Sequence, residues 1–166
     1  MVHSRKVSAS ITTLALLAGF VSCRQATQIV LEVKSNAFCP GAQGTPQLAS
    51  VLIAGGVKVA SADIAGTVTN DCTDMGDHSR IGDIVLLPDG GDNPAVEIVV
   101  VAGLTDESTG QALSAEQCAD LVGKAGIDGK PCIVARRRLA FVEHESLAIT
   151  VNLDTACIGK ECGEDL

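Results

Sequence analysis

The sequence predicts an all-β fold, an antiparallel β-sandwich with one short helical insertion. Three observations carry that prediction. The apolar content, 46%, is aliphatic rather than aromatic: Phe occurs three times, and Trp and Tyr are absent. Such a chain is rich in strand-forming Val and Ile and too apolar to stay disordered. Apolar residues recur at period two over short runs, which places them on one face of a strand. Loops rich in Gly, Asn, Asp and Pro divide the runs.

The elements follow in order. Residues 27–34, TQIVLEVK, put Ile29, Leu31 and Val33 on one face, with Gln28, Val30, Glu32 and Lys34 opposite. That is a half-buried strand. Residues 35–47 carry Asn, Pro and Gly and read as a loop. Residues 48–54 and 57–61 flank Gly55 and Gly56, which predicts a hairpin or a bulge. Another strand is expected over 64–69, before the polar stretch 70–79. The most apolar runs are 81–87 and 94–102, split by the turn PDGGDNP. In the second, Val96, Ile98 and Val100 face one way, and Val99 and Val101 the other. A strand apolar on both faces belongs at the centre of a sheet.

Residues 114–124 break the pattern. Ser114 with Gln117 makes a capping box, and Cys118, Leu121 and Val122 share one helical face. A short helix is expected, ending near Gly123 or Gly126. Residues 131–142 and 147–153 then predict a closing hairpin around 143–146, with Leu147, Ile149, Val151 and Leu153 inward. The sum is seven or eight strands at short spacing, the pattern of an immunoglobulin-like sandwich. These strands are mostly too short for a transmembrane barrel, whose strands run about ten residues.

The N-terminal region has a different character. Arg5 and Lys6 precede an apolar run over 11–21, the layout of a secretory signal. A membrane-crossing helix needs roughly 20 apolar residues, so this run is too short for a retained span. It ends in FVSC, residues 20–23. Ordinary signal cleavage after Ser22 would place bulky Phe20 where a small residue is needed. FVSC resembles the bacterial lipobox at three of its four positions, with Phe20 in place of the usual aliphatic residue. The expected organisation is therefore a signal peptide over 1–22, a lipid-anchored linker over 23–26 starting at Cys23, and a disulfide-stapled β-sandwich domain over 27–166. Arg24 stands where an acidic residue would resemble an inner-membrane retention signal, so the expected address leans to the outer membrane.

The cysteine count supports this reading. Seven cysteines occur, an odd number for an exported chain. If Cys23 carries lipid, Cys39, Cys72, Cys118, Cys132, Cys157 and Cys162 remain for disulfides in an oxidising compartment. Proximity suggests Cys39–Cys72, Cys118–Cys132 and Cys157–Cys162, although spacing alone does not choose among the possible pairings. No C-x2-C pair points to zinc.

Composition narrows the partners. The chain holds 12 basic and 20 acidic residues, and loss of Arg5 and Lys6 sharpens the imbalance. Without a broad basic patch, nucleic acid is a poor partner. The scarcity of aromatic faces disfavours sugar and base-stacking sites.

The richest constellation is the loop NDCTDMGDHSRIGD over 70–83. Asp71, Asp74 and Asp77 are candidate Ca²⁺ ligands on it, beside His78. The spacing is not that of an EF-hand, and the competing reading is a solvated loop pinned by Cys72. Asp89, Asp92 and Asn93 form a second acidic group that also reads as ordinary turn chemistry. A hydrolase would draw on His78 and His144, the histidines past the signal, but no G-x-S-x-G elbow occurs. His144 lies between Glu143 and Glu145 in the expected turn. Arg136, Arg137 and Arg138 are the basic run, with Arg136 and Arg138 on one strand face. They read as a solvated face paired with neighbouring acids, or as a contact for lipid headgroups or an acidic partner.

The C-terminal stretch PCIVARRRLAFVEHESLAITVNLDTACIGKEC resembles the end of an uncharacterised group of myxobacterial-type lipoproteins. The shared features are the lipobox, a first strand like TQIVLEV, a basic penultimate strand, and a last strand of the form L-x-[LIV]-x-V-x-L. In this chain that strand is Leu147 through Leu153. A C-x-G-x-x-C motif follows, here Cys157, Gly159 and Cys162. The resemblance covers the signal, 27–34 and 131–162. It implies a lipid-anchored sandwich and no particular activity.

The expected function is that of a lipid-anchored cell-envelope protein, non-enzymatic, serving adhesion, scaffolding or binding. Its expected partners are the membrane, through the anchor, and an envelope protein, with no assigned cofactor. A calcium-dependent binding domain using loop 70–83 is the first alternative. An envelope hydrolase is the second.

Overall fold

The alternation read along the first strand becomes a buried sheet face. In this computed structural model, which describes residues 26–56, 59, 64–88 and 95–162, β1 (Gln28–Ser35) buries Ile29, Leu31 and Val33 completely. The expected signal peptide, Cys23, much of the expected strand 57–61, and Asp89, Asp92 and Asn93 lie outside the described residues. The chain continues through β2 (Leu48–Gly56), β3 (Thr67–Thr69), β4 (Thr73–Asp74), β5 (Ser79–Leu86) and β6 (Ala95–Leu104). Helix α1 (Ala115–Lys124) follows, then β7 (Cys132–Ala140), β8 (Ser146–Leu153), a 3₁₀ turn at Thr155–Cys157 and β9 (Lys160–Cys162).

The strands form two sheets, ordered β4-β5-β1-β8 and β3-β2-β6-β7-β9, packed face to face as a β-sandwich. Between them lie Ile29, Leu31 and Val33 from β1, Ile98 and Val100 from β6, Ile133 from β7, and Val151 and Leu153 from β8. Burying a side chain of this size is worth about 1.5–3 kcal/mol. A second core fills the outer face of the larger sheet. There Leu52, Val99, Val101 and Val134 pack under Ala115, Cys118 and Ala119 of α1. β6 is thus covered on both faces, as its two-sided apolar pattern requires.

Helix α1 begins as its sequence dictates. Ser114 accepts from the Gln117 backbone N–H at 3.3 Å, and the Gln117 side chain accepts from the Ser114 N–H at 2.8 Å. Ser50 of β2 satisfies a further orphan amide, accepting from Ala115 N–H at 2.7 Å. The helix entry presses on Gly103, where an added Cβ would strike the backbone of Leu113, Ser114 and Ala115.

Two expectations need correction. The sheets are not purely antiparallel: β1 pairs with β8 in parallel, and β7 with β9 in parallel. Nor do residues 131–142 and 147–153 form a hairpin, because β7 and β8 lie in different sheets. The reason is burial. β7 is apolar on both faces over Cys132–Ala135 and needs the position under α1. β8 has one apolar face and exposes Ala148, Thr150 and Asn152, which suits a sheet covered on one side. Residues 141–145 therefore cross between sheets. β4 and β9 are also additional to the expected elements.

The sandwich has two distinct ends. β1 starts beside the 143–145 turn, where Gln28 N–H donates to Glu145 C=O at 3.1 Å and His144 N–H donates to Thr27 Oγ1 at 2.8 Å. About 25 Å away, at roughly 3.3 Å per strand residue, the loops 36–47, 75–78, 105–114, 126–131 and 154–159 meet. Backbone bonds tie them together: Leu48 to Phe38, Thr105 to Gln47, Leu104 to Pro131 and Gly159 to Cys132.

Candidate functional site

The loop-bearing end is where chemistry could be displayed, and disulfides build it. Cys39 joins Cys72, Cys118 joins Cys132, and Cys157 joins Cys162, with Cα separations of 5.5, 5.7 and 6.0 Å. These are the pairings that proximity suggested. The first pins loop 36–47 to the polar stretch before β4. The second locks α1 onto β7. The third closes the 3₁₀ turn against β9.

Buried hydroxyls hold the loops at their roots. Ser35 Oγ donates to Leu153 C=O at 2.8 Å and accepts from Ala37 N–H at 3.0 Å. Ser79 Oγ donates to Ala37 C=O at 2.8 Å. Three adjacent strand ends, of β1, β5 and β8, are therefore cross-linked by side chains. Every buried side-chain polar atom among the described residues has a partner.

Above these roots lies an open cleft of about 330 Å³, lined by Lys34, Asn36, His78, Asn152 and Asp154 among others. Its polar groups are pre-ordered. Asn36 Nδ2 donates to Asp154 Oδ1 at 3.1 Å, and Asn36 Oδ1 accepts from Thr155 N–H at 2.7 Å. Asp154 also accepts from Ala156 N–H at 2.9 Å. That backbone bond, reinforced by Asn36, lowers the Asp154 pKa below its ordinary 3.8. His78 Nδ1 lies 2.7 Å from Asp77 Oδ1, and this hydrogen bond lowers the Asp77 pKa. Lys34 reaches Glu32 at 3.0 Å, which lowers the Glu32 pKa. On the neighbouring strand, Arg80 bridges Asp83 and lies 3.6 Å from Glu32. The cleft can offer hydrogen bonds and a mixed-charge rim.

The acidic residues singled out from sequence do not converge. Asp71 lines a separate opening of about 200 Å³ between the sheets, with Ile53, Ile81 and Ile84. Asp74 turns inward on its own loop, accepting from Gly76 N–H at 2.8 Å. Asp77 is engaged by His78. Among the described residues, no three His, Cys, Asp or Glu side chains form a metal-binding group. Toward a hydrolase, Asp77 and His78 are adjacent, but no Ser, Thr or Cys hydroxyl or thiol among the described residues is bonded to His78. All six cysteines of the described domain are consumed in disulfides. His144 sits at the opposite end, with a left-handed φ of 62°.

In the arginine run, Arg136 pairs with an acid on the neighbouring strand. Arg136 lies 3.6 Å from Glu97 on β6, and the Arg137 guanidinium donates to the Arg136 C=O at 2.8 Å.

Sequence reasoning missed Asn36 and Asp154. They are separated by 118 residues and meet because β1 and β8 run parallel, ending together at Ser35 and Leu153. Each reads singly as an ordinary turn former just past a strand.

Comparison with protein-family models, curated proteins and solved structures yields no match.

Proposed function

We propose that the chain is a lipid-anchored protein of the bacterial cell envelope whose sandwich serves as a non-enzymatic binding, adhesion or scaffold module. The observation that supports this best is the pairing of six of the seven cysteines in three disulfides; Cys23, the seventh, lies outside the described residues. Such pairing belongs to an oxidising compartment. FVSC is then read as a lipobox, with an outer-membrane address. The relationship to the myxobacterial-type lipoproteins and the immunoglobulin-like character belong to the same proposal, the latter as a way of presenting loops on a stapled frame.

The polarity of the fold fits an anchor. Thr27, near the start of the described chain, lies at the 143–145 end, so an anchor at Cys23 would leave the stapled loops and the Asn36–His78–Asp154 cleft at the end far from the bilayer. A single acyl chain gives marginal attachment, whereas several hold a protein firmly.

Labelling cells with radioactive palmitate tests the anchor. Wild-type protein takes up label and Cys23→Ala does not. Equal label on both would remove the anchor from the proposal.

A further inference from the structure

A sandwich must manage the outer strands of its sheets, because each presents a row of unpaired N–H and C=O groups. Here the outer strands are β4 and β8 in one sheet, β3 and β9 in the other. Three of them are blunted by brevity: β3, β4 and β9 span three, two and three residues. Where their neighbours extend further, other devices appear. β5 beyond β4 carries Asp83 and a register break against β1. β7 beyond β9 carries Arg136, Arg137 and Arg138. β2 beyond β3 ends in Gly55 and Gly56.

β8 has none of these protections. It spans eight residues, SLAITVNL, with no charge and no proline, in unbroken parallel register with β1. Its other edge pairs with no strand among the described residues, and on the outer face of the sheet Ala148, Thr150 and Asn152 are exposed.

We propose that the free edge of β8 is a docking site for an extended segment of a partner protein, which adds to the smaller sheet as a further strand. The inference deepens the binding-module reading and rests on it, but it does not need the anchor. Charge selects the occupant. Glu143 and Glu145 precede the strand, and Asp154 follows it. A second copy laid antiparallel would bring Asp154 against the partner's acidic turn, and a parallel one would set each acid against itself. Like charges facing across strands repel. The fitting segment has an uncharged, alternating core with Lys or Arg at both ends. Backbone bonds supply its affinity and the flanking charges its register.

The test uses the full chain and a synthetic peptide of alternating Val and Thr with lysines at both ends. A second peptide carries glutamates there, and a third has a central proline. Amide hydrogen exchange and binding are read together. The lysine peptide slows exchange within 146–153 and binds roughly tenfold more tightly than the glutamate peptide, while the proline peptide does not bind. Unchanged exchange over 146–153, equal binding of the two charged peptides, or protection along another strand overturns the proposal. A concentration-dependent dimer that protects 146–153 without peptide also overturns it and gives the edge to a second copy. Palmitate labelling reads Cys23 alone, so anchor and edge can fail independently.

Discussion

Single atoms decide several features of this fold. Gly103 is the sharpest case. Its missing Cβ leaves room for the Leu113–Ala115 backbone to press onto β6, and the neighbours that a methyl would meet are main chain that cannot rotate away. Gly103→Ala should destabilise the protein by about 1–3 kcal/mol, the usual range for overpacking. Chemical denaturation measures this, and an unchanged midpoint would contradict the packing described. Ser35, Ser50 and Ser79 act in the same local way. They are the buried polar residues of the core, and each satisfies a backbone group at a strand end or helix start. Their roles were not legible beforehand, since a serine near a loop resembles any other turn former.

At the scale of elements, α1 converts one sheet face from solvent to core. Its capping box and apolar stripe are local signals, and both were legible in residues 114–124. What holds it in place is less local: the Cys118–Cys132 bridge joins helix to strand across 14 residues, with both cysteines fully buried. A closed loop of this size stabilises by about 3 kcal/mol in the chain-entropy model. The double variant Cys118→Ala, Cys132→Ala should lose about that much and lower Tm by roughly 10 °C. A calorimetric scan shows the loss. A drop no larger than that of a surface substitution would mean that packing under α1 suffices alone. β8 is the contrasting element: among the described residues it pairs with β1 on one side only.

The whole molecule carries its lowered acids on the surface. Glu32, Asp77, Asp106 and Asp154 have folded pKa values below their ordinary 4.5 or 3.8, because hydrogen bonds to Lys34, His78, Ser108 and the Ala156 amide favour the charged form. As pH falls through those ordinary values, the unfolded chain takes up protons first. The stabilisation present above them is therefore lost on acidification. Asp154→Asn keeps an acceptor for Ala156 but no charge, so its stability should fall less than that of the wild type between neutral pH and pH below 3.8. Denaturation midpoints across that range give the comparison, and parallel curves would show that Asp154 contributes nothing to acid sensitivity. At this scale too, acidic composition bears on the proposed partner, because the acids flanking β8 would repel a second copy and attract a basic-flanked strand.

Local patterning determined what local physics can determine. Period-two alternation marked β1 and β8, the capping box marked α1, and two-sided apolar character marked β6 and placed it at a sheet centre. The even set of six cysteines, paired by proximity, matched the three bridges. Tertiary structure alone decided that β1 and β8 run side by side, that β7 and β8 separate into different sheets, and that Asn36, His78 and Asp154 share a cleft. Strand pairing across more than a hundred residues leaves no periodic trace in sequence. It is selected by which faces must be covered, and that is settled only when the whole core closes.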